Sequence, residues 1–99
     1  MRRRGKRDAN HGEIKAALQK VGASVLDLAD LGDDAPDMLV GFRHLDQLVE
    51  VKSGKNGLEP GQEKFISEWR GRPVRVVRSV DEALAAFGAL VTNPYLSRR

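Results

Sequence analysis

Two carboxylates and an amine are spaced so that a small sheet could bring them together. Asp37 follows Pro36 and precedes the apolar run Met38–Val40, and Glu50 and Lys52 flank Val51 at the end of a second apolar run. Side chains alternate faces along a strand, so Leu48, Glu50 and Lys52 share one face and Val49 and Val51 share the other. Two adjacent strands would place Asp37, Glu50 and Lys52 at one end of the sheet. Buried carboxylates held close together resist joint ionisation, and burial adds a desolvation cost. A divalent cation would reverse both effects. Taken alone, Glu50-Val51-Lys52 reads more simply as a solvated strand face with a Glu–Lys pair. Asp37 in front shifts the reading to a site for a divalent metal and a water nucleophile.

The elements that must position these residues are legible in order. Asp8 or Asn10 could cap a first helix, on which Ile14, Ala17, Leu18 and Val21 form an apolar stripe that Gly22 stops. Glu13 lies at the stripe's edge, where it can reach across the boundary between core and solvent. His11 is expected to be an exposed first-turn residue, since a lone histidine is weak evidence for a ligand. Asn10 points close to the stripe, to cap or to touch the site. Residues 23–28 read as a short strand, and Asp27, Asp30, Asp33 and Asp34 make a solvated acidic loop without calcium-loop spacing. Pro36 disfavours helix before it and delivers an extended entry to Asp37.

Strands over 37–43 and 46–53 form a hairpin around a polar turn, Arg43-His44-Leu45-Asp46. The segment 53–57 is a flexible connection without the Gly-Lys-Ser/Thr of a phosphate loop. Pro60 suits the first turn of a second helix. Gln62, Phe65, Ile66 and Trp69 share one face of it, with the three apolar residues expected in the core. Arg70-Gly71-Arg72-Pro73 breaks this helix, and residues 74–77 form a strand. Ser79 and Glu82 form a capping box for a last helix with Val80, Ala83, Leu84, Phe87, Leu90 and Val91 on one face, ended by Asn93-Pro94. The expected fold is α/β in the order αβββαβα. Its mixed four-stranded sheet is a three-strand meander completed by a helical crossover.

The bulk properties fit one domain. The 99 residues divide into a basic flexible arm at 1–7, a domain at 8–92 and a tail at 93–99. There is no cysteine, which excludes disulfides and cysteine-ligated metals. No apolar run approaches the ~20 residues of a membrane span, so the expectation is a soluble intracellular, cytoplasmic protein without a membrane partner. Arg2, Arg3, Arg4, Lys6 and Arg7 at the start and Arg98 and Arg99 at the end hold seven positive charges. Setting them aside leaves ten basic against fourteen acidic side chains, a net of −4 under a formal total of +3. Basic arms on an acidic body read evenly as phosphate-backbone contacts or as solubilising tails.

The four elements Glu13, Pro36-Asp37, Glu50-Val51-Lys52 and Gln62, in that order, resemble the PD-(D/E)XK nuclease superfamily, which has the restriction-endonuclease-like fold. Within it the chain is most similar to small VRR-NUC and Holliday-junction-resolvase-like nucleases. The likeness covers about residues 5 to 87 and departs at Glu59, where many relatives carry a hydroxyl cap. The resemblance implies hydrolysis of DNA phosphodiester bonds with Mg²⁺ or Mn²⁺, on branched DNA as a candidate substrate, by a homodimer. By the resemblance, Asp37, Glu50 and the Val51 carbonyl hold the metal. Glu13 contacts it directly or through water, or helps hold a second ion. Lys52 orients the water, and Gln62 positions water or phosphate. The arm, Lys55, Arg70 and Arg72 are the implied DNA contacts. A catalytically silent nucleic-acid-binding module would explain the basic arms but leave Asp37, Glu50 and Lys52 without a role. A third reading is a structural subunit held to its partners by Tyr95 and Leu96.

Overall fold

Helix α1 (His11–Lys20) exists because Ile14 and Leu18 stack on one face, where both are fully buried. In the computed structural model, which describes residues 8–89, it is followed by β1 (Ser24–Asp27), β2 (Met38–Phe42), β3 (Leu45–Val51), α2 (Pro60–Glu68), β4 (Arg75–Val77) and α3 (Val80–Ala86). The basic arm, Leu90, Val91, the Asn93-Pro94 stop, Tyr95, Leu96 and the C-terminal arginines lie outside the described residues.

The sheet order is β1-β2-β3-β4. The first three strands are antiparallel and β4 joins β3 in parallel, as the expected meander and crossover require. The alternation of Met38, Val40, Val49, Val51 and Val77 sends them all to one sheet face, where they pack with Ile14, Leu18 and Ala83 into the core. Each fully buried side chain of this size contributes roughly 1.5–3 kcal/mol of transfer free energy. The hairpin turn is tighter than the sequence reading. Phe42 pairs with Leu45, and only Arg43 and His44 lie between, both at positive φ (53° and 68°). That is the conformation of a two-residue turn whose twist matches the flanking strands, adopted here without glycine.

The second helix corrects an expectation. None of its residues is buried. Phe65 and Ile66 are half-buried and Trp69 is 45% exposed, so they do not form the core. The reason is topological: α1 and α3 fill the Val49–Val51 face of the sheet, and the opposite face carries Glu50 and Lys52.

The last helix is capped as expected on one side. The Ser79 hydroxyl accepts from the Glu82 N–H at 3.0 Å. The reciprocal bond comes from the Arg78 N–H rather than from Ser79, at 2.7 Å to Glu82 Oε1.

Candidate functional site

The β2–β3 register sets the site. Met38 opposes Val49, and the next pair in that register is Asp37 opposite Glu50, on the face away from the core. Asp37 Oδ2 accepts the Val51 N–H at 2.7 Å, which locks its carboxyl against β3. Asp37 and Glu50 lie close enough to share a proton. Lys52, two residues along the same face, holds its Nζ 3.8 Å from Glu50 Oε2. Glu50 is 4% exposed and Lys52 6%, while Asp37 is half-buried.

This geometry is electrostatically tense. Burial and the Asp37 carboxylate push the Glu50 carboxyl up from 4.5 to about 8, and Lys52 offsets only part of the rise. Burial likewise raises Asp37, against the Val51 N–H and His11, which favour its charged form. A glutamate with a raised folded-state pKa stabilises the fold relative to its ionised form below its unfolded value, and that contribution is lost as pH rises through about 8. In EDTA, Glu50→Gln is therefore expected to melt above the wild type at pH 8–9, with the gap closing towards pH 5. A variant that melts below the wild type at pH 9 would contradict this account.

Gln62 is fixed from both ends. Its side-chain carbonyl accepts the Glu59 N–H at 2.9 Å, and its amide donates to Glu50 Oε2 at 3.1 Å. Glu59 thus stands at the cap position, and Gln62 satisfies its N–H, so the departure at this position leaves the helix start bonded. Gly61 lets the Asp34 carboxylate lie against the first turn of α2, where a Cβ would overlap it. A carboxylate there complements the positive end of the helix and ties the acidic loop to the element carrying Gln62.

Two residues at the start of α1 join the site in ways that sequence reasoning missed. His11 is buried, 4% exposed, with Nε2 3.3 Å from Asp27 Oδ1, and it lies near enough to favour the charged form of Asp37. The expectation of an exposed first-turn residue fails because His11 extends the Ile14–Leu18 stripe by one turn. That i, i+3, i+7 spacing was the available signal. Asp8 does not cap α1 through its carboxylate. Instead Oδ2 accepts from Ser53 Oγ at 3.0 Å and from the Ser53 N–H, and it raises both Asp37 and Glu50 electrostatically. Burial raises Asp8 itself, but the bonds from Ser53 and Asn56 outweigh that, and its pKa lies below the ordinary value. No local pattern announces a contact across 45 residues. Asn10 makes no side-chain cap; its amide donates to the carbonyls of Arg78 (2.9 Å) and Lys52 (3.3 Å), pinning α1 to the ends of β3 and β4.

Glu13 is not brought to this cluster. It is exposed, about 130° around α1 from the middle of the buried stripe, and no hydrogen bond or ion pair among the described residues joins it to Asp37 or Glu50. Lys55, Arg70 and Arg72 are exposed. Among the described residues no group of three or more His, Cys, Asp or Glu side chains forms a metal cluster. No protein-family model matches the chain, and no curated protein or solved structure matches it. The chemistry of the donor set therefore decides what the site can hold. Two close carboxyls with hard oxygen donors are the kind of group that could hold a hard divalent cation. Among the described residues no helix is long and apolar enough to cross a membrane.

Proposed function

We propose that this chain is a divalent-metal-dependent nuclease that hydrolyses DNA phosphodiester bonds. The observation that carries the reading is the pairing of half-buried Asp37 with buried Glu50, with Lys52 on the same face 3.8 Å from Glu50. A sheet face that buries a carboxyl and an ammonium beside a half-buried second carboxyl costs stability unless the groups are used. Asp37, Glu50 and the Val51 carbonyl would hold Mg²⁺ or Mn²⁺, which when bound supplies charge stabilisation and a more acidic water. Lys52 orients the attacking water and offsets phosphate charge, since an ammonium has donors only and cannot ligate a cation. Gln62 keeps Glu50 oriented through its amide and can donate to water or phosphate. Phosphate contacts from the basic arm, Lys55, Arg70 and Arg72 would supply most of the affinity. Branched DNA is the proposed substrate, cut by a two-fold dimer that presents two sites for paired incisions.

Cleavage of linear, nicked, flap and four-way DNA in Mg²⁺, Mn²⁺ or EDTA tests this, with light scattering on the same samples. The expected result is metal-dependent cutting of branched substrates by a dimer. No cutting of any substrate would overturn the enzyme, and a monomer both free and on four-way DNA would overturn the dimer. The exposure of Glu13, away from the carboxyl pair, favours the competing reading: a nucleic-acid-binding module without catalysis.

A further inference from the structure

The apolar face of α2 is not spent on the core. Gln62, Phe65, Ile66 and Trp69 follow one helical face, and the first of them bonds Glu50. Phe65 and Trp69 stack nearly parallel, with ring centroids 5.4 Å apart and planes 12° apart. Trp69 nevertheless remains 45% exposed. Gly71 makes room for it, because a Cβ there would meet the indole Nε1 at 2.9 Å. The indole is thus held on two sides, by an aromatic ring and by a bare stretch of backbone, while much of its surface stays open. Arg70 and Arg72, both exposed, flank that glycine, and Lys64 lies on the same helix, paired with Glu68 at 3.7 Å.

We propose that Trp69, backed by Phe65, is a stacking platform for an unpaired nucleobase of the strand that enters the Asp37–Glu50 site. The proposal rests on the nuclease reading for the identity of its ligand and adds a preference for single-stranded segments. A held, half-open aromatic pair offers a π-face to a base, and the exposed Arg70, next to Trp69 in the chain, suits a flanking phosphate. Trp69 lies seven residues beyond Gln62, about 10 Å along the helix axis. That spans on the order of three stacked nucleotides at ~3.4 Å each. A strand whose phosphate reached Glu50 would therefore pass the indole within the same short segment. A flap or an opened junction exposes such bases and an intact duplex does not.

Trp69 is the chain's one tryptophan, so its fluorescence reports the platform directly. The full chain is titrated in Ca²⁺ with a single-stranded thymidine oligonucleotide and with a blunt duplex of equal length. Strong quenching by the single strand and little by the duplex is expected. By anisotropy, Trp69→Ala should weaken single-strand binding by about 5- to 150-fold, from the usual worth of one stacked base. Trp69→Phe should recover part of the loss. Gly71→Ala should displace the indole and reduce quenching while far-ultraviolet circular dichroism stays unchanged. Equal quenching by both nucleic acids, or unchanged affinity in Trp69→Ala, would overturn the platform. A wild-type dimer that Trp69→Ala converts to a monomer, with no quenching, would overturn it in favour of a self-association face. Quenching without metal-dependent cleavage would leave the platform standing and remove the nuclease; cleavage without quenching would do the reverse.

Discussion

Lys52→Ala is expected to lower Mg²⁺-dependent cleavage by about 10²–10⁴-fold while leaving metal binding intact. Lys52 is 6% exposed, and its Nζ lies 3.8 Å from Glu50 Oε2, too buried and too well placed for a general electrostatic role at the surface. Its assigned task is to hold the attacking water and the phosphate in register, and losing a positioned proton-transfer or orienting group costs rate in that range. Each tenfold corresponds to about 1.4 kcal/mol of barrier. Metal affinity should stay level or rise, because the substitution removes a positive charge beside the carboxyl pair. DNA binding in Ca²⁺ should weaken only modestly, since phosphate contacts elsewhere remain. Lys52→Arg should not restore full activity, because a planar guanidinium is larger and differently directed. Single-turnover cleavage beside a binding assay measures both halves, and wild-type-like cleavage by Lys52→Ala would remove Lys52 from the mechanism.

Mn²⁺ affinity is expected to climb about tenfold per pH unit up to about pH 8 and then to level off. Glu50 binds its proton up to about 8, and a cation can take the carboxyl only after that proton leaves. The sign follows from the raised pKa: below 8 the proton competes with the metal, and above 8 it does not. Near pH 7 binding should release about one proton per ion, visible calorimetrically as a heat that changes with the buffer's ionisation enthalpy. Asp37→Asn and Glu50→Gln should each weaken the ion sharply, since each removes one of the two charged donors. A pH-independent affinity, or wild-type affinity in both variants, would remove this pair as the metal site.

Much of the site's framework was legible in the chain itself. Period-two alternation put Leu48, Glu50 and Lys52 on one strand face, and Pro36 set the extended entry to Asp37, so the meeting of Asp37 with Glu50 across a hairpin was foreseeable. The crossover through α2 and the parallel β4 followed from connection rules, and the order αβββαβα is the observed one. These features follow from strand alternation, turn residues and connection rules, which the order of residues along the chain carries.

The tertiary structure decided what depends on which faces are already filled. Phe65, Ile66 and Trp69 form an apolar helix face of the kind that usually goes inside. Yet α1 and α3 occupy the core side of the sheet, and these residues stay partly open. His11 is buried because the end of α1 packs where Asp27 and Asp37 converge, and Asp8 reaches Ser53 only after the chain has closed. Glu13 lost its expected place for the same reason: rotation about α1 is set by Ile14 and Leu18 entering the core, and that rotation carries Glu13 to solvent. The raised pKa of Glu50 likewise belongs to the fold rather than the sequence, since desolvation and the nearness of Asp37 arise only when the strands pair.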